Sequence, residues 1–597
     1  MAKITGNEFL IKALREEGVE KIFAYPGACV VDIFDELYRT GSPELILPRH
    51  EQGLIHAAEG YARSTGKPGV CLVTSGPGAT NLITGIADAN LDSVPLVCLT
   101  GQVSTGLIGN DTFQEVDIVG ITRNICKYTT MVRSRDDLNR LVKEAFYIAT
   151  TGRPGPVLLD LPKDVMAQLG SDVYPEKVNI RGYKPPSKVH EGQIGRAISM
   201  MYKAKKPLFL LGGGVKIAGA QADMKSLVEQ VGIPAVTTIM GRGSIPTDHK
   251  LYFGNVGMHG SYAANNAVNG CDLLISIGTR FNDRITGKLG TFAPNAKIIH
   301  IDIDTASISK NVTVDVPVVG DAKAAIRKLL EEAEERGKIK CDSWIKSLNE
   351  FRKEKPLIQE KKGKLVPKQI IDAINSEFKE PIITTDVGQN QMWTTQFFEI
   401  KGKGQLITSG GLGTMGYGLP AAIGAAIGNP GREVIAVCGD GGFQMNSQEM
   451  ATAAINRLPI IVCILNNGYL GMVRQWQELF YEEEFAGTCL RRDASCDKRG
   501  SGCKGCNGRS DNCPEYVPDF IKLAEAYGAQ GIRVEKASQI GPAFAKAKAK
   551  KDGPTIIEFI IEDKELVYPM IRPGGAITDL ITGPEDNEKR GGGISEL

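Results

Sequence analysis

Short, predominantly apolar runs recur along this chain between stretches of helical spacing, and that alternation limits the fold more than any other feature. The runs GVCLV at 69–73, PLVCLT at 95–100 and PVLLDL at 156–161 are too short for core helices and lack the alternation of half-exposed strands. Strands that are apolar at nearly every position are buried on both faces, which calls for a parallel sheet covered by helices above and below. The pattern returns in PLFLLGGGV at 207–215, DLLISIGTR at 272–280 and KIIHIDID at 297–304. It returns again in PIITTDVG at 381–388, EVIAVCGDGG at 433–442, PIIVCILNN at 459–467 and TIIEFIIE at 555–562.

The expected fold class is therefore α/β, with three doubly wound parallel-sheet domains at residues 1–180, 190–335 and 365–582. A length of 597 residues suits about three or four domains. The polar segment 181–193 reads as a first linker, the charged stretch 331–356 as a solvated helical linker, and 583–597 as a mobile tail. A net charge of +1 leaves no basic footprint for nucleic acid. With no basic and apolar leader at Met1 and no apolar run of the ~18 residues that span a bilayer, the expected setting is soluble and cytoplasmic, without a membrane partner.

Chemistry enters at Gly439-Asp440-Gly441, which opens a segment closing on Asn466-Asn467. A helical pattern and the apolar run 460–465 lie between, so both ends fall at loops beside one strand edge. Magnesium takes hard oxygen ligands, commonly carboxylates together with phosphate oxygens. Asp440 offers a charge, Asn467 a neutral oxygen, and the glycines allow close backbone approach to a diphosphate. By itself GDG is also an ordinary turn, so the surrounding motifs decide.

Those motifs are FAYPGACVVDIFDELY, RHEQGLIHAAEGYAR, TSGPGATNLITGIADA, GRPGPVLLDLPKD, TDVGQNQMW, SGGLGTMGYGLPAAIGAA, the GDG-to-NN segment and GMVRQWQELFYEE, in that order. Together they resemble the acetolactate synthase catalytic subunits of the thiamine diphosphate-dependent enzyme family, over about residues 5–581 apart from one insertion. The resemblance implies a pyrimidine-binding N-terminal domain, a central FAD-binding domain and a C-terminal diphosphate-binding domain. It implies decarboxylation of pyruvate on thiamine diphosphate and transfer of the hydroxyethyl unit to pyruvate or 2-ketobutyrate, in branched-chain amino acid biosynthesis.

Residue by residue, Glu51 matches the glutamate that bonds the aminopyrimidine ring, and Met415 the apolar residue that bends the cofactor. Gly27, Gln114, Gly388, Gln389, Gly413, Gly441, Gly442 and Met472 are expected to line that cofactor. Magnesium would be held by Asp440, the Asn467 side chain and the Tyr469 backbone carbonyl. Arg284 matches the arginine that grips the acceptor carboxylate, a task for its planar fork. Trp476 matches the tryptophan that favours 2-ketobutyrate, and Lys163 a lysine near the channel mouth, with Phe113, Gln114 and Met258 lining the same region. Taken singly, such residues are more often a solvated cation or a packed tryptophan; the motif around each carries the assignment.

GGGV at 212–215 lacks full dinucleotide spacing. The resemblance nonetheless implies FAD at Arg153, Gly213, Gly214, Thr238, Met240, Met258, His259, Asp302 and Asp321. Because the net reaction transfers no electrons, that flavin would be structural. In the family Glu51 of one subunit reaches the diphosphate site of another, so a homodimer or homotetramer is implied. Whether a regulatory small subunit binds is left open.

Two features depart from the family pattern. Cys29 and Asn390 stand where PGGA and GQHQ have alanine and histidine, and Asn390 removes a titratable imidazole. Between FYEE and PDF, at 487–515, roughly twenty extra residues carry Cys489, Cys496, Cys503, Cys506 and Cys513. The Cys503-Cys506 gap suits zinc or an iron-sulfur cluster, while a redox-responsive disulfide set and an unliganded loop are the other readings. The eight remaining cysteines of the chain's 13 stand singly, as reduced thiols do. The competing functions are a related 2-keto acid oxidase or decarboxylase and, from another class, a metal or redox sensor on an inactive enzyme fold.

Overall fold

The computed structural model describes residues 3–186, 188–357, 359, 365–491 and 515–588. Within them the α/β reading holds, as three six-stranded parallel sheets. The first sheet joins Lys21–Ala24, Glu44–Ile46, Gly69–Val73, Leu96–Gln102, Tyr128–Met131 and Pro156–Pro162. The third joins Ile382–Thr385, Gln405–Ile407, Val434–Gly439, Ile461–Asn466, Gln530–Val534 and Thr555–Ile560. With strands counted in chain order inside each sheet, both have the spatial order 2-1-3-4-6-5.

The central sheet joins Pro207–Leu211, Ala235–Thr237, Tyr252–Asn255, Leu273–Ile277, Lys297–Asp302 and Val316–Val319 in the order 3-2-1-4-5-6. That is the order of dinucleotide-binding sheets. Strands such as Gly69–Val73, Pro207–Leu211 and Ile461–Asn466 are buried at every position, which is why they read as unbroken apolar runs.

Open parallel sheets bind ligands beyond the carboxyl ends of their strands, where the order reverses. In the first sheet the reversal falls between the strands leading into Gly27 and Thr74, and in the third between those leading into Asp386 and Asp440. In the central sheet it falls between the strands leading into Gly212 and Gly278.

The outer domains share one core. Helix Glu51–Thr65 of the first lies against helix Gly418–Gly428 of the third, and Leu54, Ala57, Tyr61, Leu419, Ala422 and Ile423 belong to the same buried cluster. The two backbones touch: a Cβ at Gly60 would overlap the Ala421 carbonyl, and one at Gly424 the Ala57 carbonyl.

The stretch 331–356 corrects the linker reading. Asp342–Glu354 is a helix whose Trp344 and Leu348 are buried against Ala264, Val268 and Leu274 of the central domain, with Phe351 packed alongside. Spacing of four and three residues puts these apolar groups on one face, which the surrounding charges obscure. The chain returns to the central domain at its end as well, where Met570–Ile571 pairs with Leu580–Ile581 and the Ile571 N–H donates to the Met258 carbonyl at 3.0 Å. Of the expected mobile tail, Glu585–Glu588 forms a helical turn and 589–597 lie outside the described residues. No helix among the described residues is long and apolar enough to cross a membrane.

If backbone contact sets the spacing of the outer domains, Gly424→Ala must push the two helices apart. Overpacking of this kind costs about 1–3 kcal/mol, read as a fall in urea unfolding midpoint. Gly195→Ala, in a helix with open space around the new methyl, should instead stabilise by about 0.5–1 kcal/mol.

Candidate active site

The expected site residues gather at the three reversal points. At the first, helix Glu51–Thr65 begins on the His50 cap, and Glu51 Oε2 accepts from Asn81 Nδ2 at 2.9 Å. A Cβ at Gly78 would meet Glu51 Oε1 at 3.5 Å, and one at Gly27 would overlap the Thr74 side chain. Gln114 stands at φ +61° with its carbonyl against Gly76. Lys163 Nζ reaches the Ala28 carbonyl at 3.1 Å, and Phe113 is exposed.

At the third sheet, Asp386 and Asp440 follow adjacent strands. Asp386 is buried and its carboxylate accepts from the N–H groups of Val387, Gly416 and Gly418 at 2.8–3.2 Å. Burial pushes it up to about 6, and those donors hold it back. A Cβ at Gly442 would overlap its carboxylate.

Asp440 is 1% exposed, and burial pushes its carboxyl up to about 7, opposed by a hydrogen bond from Tyr516. The turn after Ile461–Asn466 faces it: the Gly468 N–H donates to Asp440 Oδ2 and the Tyr469 N–H to Asn467 Oδ1, each at 3.1 Å. Asn467 Nδ2 donates to Gln389 Oε1 at 3.1 Å, and Gln389 Nε2 to Gln475 Oε1 at 2.9 Å. Asn466 shapes the turn, its Oδ1 accepting from the Gly468 N–H at 3.0 Å and its Nδ2 donating to Glu558 Oε1 at 2.7 Å. Two hard oxygens and several glycines thus meet at one turn, a donor set that suits magnesium and a diphosphate.

A cavity of about 1560 Å³ joins the third domain to the central one. Gly388, Gly413, Met415, Met472 and Trp476 of the third domain line it together with Arg284, Met258 and His259 of the central one. Arg284 is exposed and its Nη1 lies 3.7 Å from Met258 Sδ. His259 Nδ1 bonds the Pro569 carbonyl at 3.2 Å, and burial pushes its imidazole down to about 4.

The cavity continues over the central reversal point, past Gly213, Gly214, Thr238, Met240, Asp302 and Asp321. There the turns at Gly214 and Gly278 are so close that a Cβ on Gly214 would lie 2.6 Å from the Gly278 Cα. Arg153 spans the junction, donating to Ser93 Oγ at 2.9 Å and Asp304 Oδ2 at 3.2 Å. Burial pushes Asp302 up to about 6 and brings Lys216 down to about 7.

Within one chain Lys163, Phe113 and Gln114 stand with Glu51 and Gly27 at the first reversal point, while Arg284, Met258 and Trp476 line the cavity. The sequence reading passed over Asp386 and Lys216, although each sits inside a quoted motif or beside its glycines, and over Glu449, which accepts from the Arg49 and His50 N–H groups at 2.9–3.1 Å. Of the cysteine cluster, Cys489 forms a backbone bridge with Tyr469, while Cys496, Cys503, Cys506 and Cys513 lie outside the described residues.

Models of the thiamine pyrophosphate enzyme family match this chain in its three parts: the N-terminal TPP binding domain over residues 4–121, the central domain over 194–329 and the C-terminal TPP binding domain over 386–559. An acetolactate synthase large subunit of Corynebacterium glutamicum is 45% identical over 97% of this chain and 90% of its own length. A probable acetolactate synthase large subunit of Methanocaldococcus jannaschii is 45% identical over 96% and 95%, and a chloroplastic acetolactate synthase of Arabidopsis thaliana 44% identical over 97% and 84%. With that likeness spanning all three domains, the chain belongs to the acetolactate synthase large-subunit family of thiamine diphosphate enzymes.

Proposed function

We propose that this protein is an acetolactate synthase that decarboxylates pyruvate and joins the two-carbon unit to pyruvate or 2-ketobutyrate. The observation that carries the reading is that Met415, Met472, Trp476, Met258 and Arg284 all line one cavity. Apolar side chains and a guanidinium in one cavity are what a second keto acid needs, since its carboxylate takes the fork and its alkyl end the apolar side.

The residues present fit the cofactors the family implies. For magnesium and diphosphate, the Asp440 and Asn467 oxygens converge on one turn, and the Asn390 amide stands over Gly388 and Gly439 with a buried Oδ1 that has no partner. Bound there, thiamine diphosphate supplies the carbon nucleophile and the electron sink for decarboxylation. Glu51 Oε2 is occupied by Asn81, which leaves Oε1 as the oxygen to hold a proton for the aminopyrimidine. Arg284 orients the acceptor, and the half-buried Trp476 selects its alkyl chain.

FAD would lie over the central reversal point. The 3-2-1-4-5-6 order, the glycine crossing at Gly214 and Gly278, and Arg153 with the half-buried Lys216 suit an anionic dinucleotide. Its role is structural, because condensing two keto acids transfers no electrons. Placement of Glu51, Gln114 and Lys163 away from the cavity supports an active unit of at least two copies, with the first reversal point of one meeting the third reversal point of the other.

With both keto acids, magnesium, thiamine diphosphate and FAD, the expected products are 2-acetolactate and 2-aceto-2-hydroxybutyrate. Acetate or acetaldehyde alone would favour the oxidase or decarboxylase reading. Trp476→Leu should lower the preference for 2-ketobutyrate over pyruvate by about tenfold or more, the scale on which an apolar pocket discriminates. Asp440→Ala should abolish magnesium-dependent binding of thiamine diphosphate in a fluorescence titration; retained binding would remove Asp440 from the metal site.

A further inference from the structure

The wall that carries Met415 is held from behind by the first domain. Two of its helices, Glu51–Thr65 and Ile83–Asp92, grip the strand end at Thr408, Ser409 and Gly410. Arg63 Nη1 donates to the Thr408 carbonyl at 2.6 Å, and Asp92 Oδ2 accepts from the Gly410 N–H at 2.8 Å. Between them, Ser409 Oγ donates to Asp88 Oδ1 at 2.6 Å. The same oxygen accepts from the N–H groups of Gly413 at 3.1 Å and Thr414 at 2.9 Å, the two residues before Met415.

A hydroxyl has one hydrogen and two lone pairs. Both lone pairs of Ser409 are committed to backbone donors, so its hydrogen has to point at Asp88, and Asp88 has to present an acceptor at Oδ1. Any proton on Asp88 therefore sits on Oδ2.

Behind Asp88 lie His56 and Glu59, and the ligating atoms of all three fall within 4.8 Å of one another. Each of the three is 0% exposed, and His56 Nδ1 is 2.9 Å from Glu59 Oε1. The charged and titratable groups facing this cluster are Asp92, Arg63, Tyr417 and Asp386, with the Cys98 thiol beside Glu59. Three buried carboxylates, Glu59, Asp88 and Asp92, thus share one guanidinium. Burying uncompensated charge is costly, and with Arg63 paired to Asp92 the other two acids, Glu59 and Asp88, favour their protonated forms. Burial, with the neighbouring acids Glu59 and Asp92 adding to it, pushes Asp88 up to about 9; burial also raises Glu59 and lowers His56.

We propose that Asp88 is a positioning residue that, packed beside Glu59, fixes through Ser409 the backbone of Gly413 and Thr414 that sets Met415 against the cofactor. The inference rests on the proposed thiamine site, and it assigns a task to acids that no catalytic step uses. Its linkage has a definite sign. A carboxyl raised from about 4 to about 9 on folding binds a proton in the native state that the unfolded chain releases, so its contribution to stability is full below pH ~4 and is lost as pH rises towards 9.

The test compares Asp88→Asn, Asp88→Leu and Ser409→Ala in the full chain, reading thiamine diphosphate affinity in magnesium and the thermal midpoint between pH 6 and 9. Asparagine keeps an acceptor at Oδ1 and a donor where the proton was. Asp88→Asn should hold affinity within about threefold and flatten the fall of the midpoint with pH, whereas Asp88→Leu and Ser409→Ala should weaken binding by about tenfold, the scale for losing one buried hydrogen bond to a carboxyl. If Asp88→Leu does not fold, Ser409→Ala carries the affinity test. Unchanged affinity in Ser409→Ala, or Asp88→Asn as damaged as Asp88→Leu, would overturn the proposal. Failure of the unaltered protein to bind thiamine diphosphate would overturn the thiamine site itself, and the pH slopes would still report whether Asp88 is neutral.

Discussion

The crossing of helix Glu51–Thr65 over helix Gly418–Gly428 is the contact on which the other arrangements depend. Glycines at positions 60 and 424 let backbone meet backbone, so the two outer domains are pinned at one separation rather than sliding on a cushion of side chains. From that fixed distance, Arg63, Asp88 and Asp92 reach across to Thr408, Ser409 and Gly410. The same crossing sets where Glu51 begins its helix and brings Glu449 under the Arg49 and His50 amides. A change of spacing at the glycines would be felt at both ends, in the orientation of Glu51 and in the wall that presents Met415.

The three reversal points explain why one chain carries three glycine-rich loop pairs. Each lies where neighbouring loops leave a sheet in opposite directions, which opens a crevice lined by backbone N–H groups. The first and third domains use the same strand order for the two expected halves of a thiamine site, and the central one uses the dinucleotide order. Arg153 brings positive charge to the central crevice, while Asp386 and Asp440 accept from backbone N–H groups and cap the turns of the third.

Much of this was legible in the sequence because strands buried on both faces are mostly apolar, so 69–73, 207–211 and 461–465 announce themselves. Local motifs located Asp440, Asn467 and the glycines for the same reason, since a tight turn and a hard ligand need particular residue types. What stayed hidden depends on long-range contact. Ser409 and Asp88 are 321 residues apart, and Arg49 and Glu449 are 400 apart, with nothing in either local pattern to join them. Helix Asp342–Glu354 was masked differently, by charges that outnumber the apolar face Trp344, Leu348 and Phe351. The grouping of Lys163, Phe113 and Gln114 with Glu51 follows from which sheet their loops leave, which motif spacing does not encode.

Glu51 and Asp440 therefore occupy different crevices of one chain, and the proposed site is completed only when two copies meet. The most direct measurement is complementation. Glu51→Ala and Asp440→Ala proteins, each inactive alone, are dissociated, mixed and reassociated, and acetohydroxyacid formation is followed. A site shared between copies predicts that the mixture recovers activity, up to about a quarter of the unaltered protein's, because half of randomly paired dimers are hybrids with one of two sites intact. No recovery, with hybrid dimers shown to be present, would contradict it and place Glu51 and Asp440 in the same copy's site.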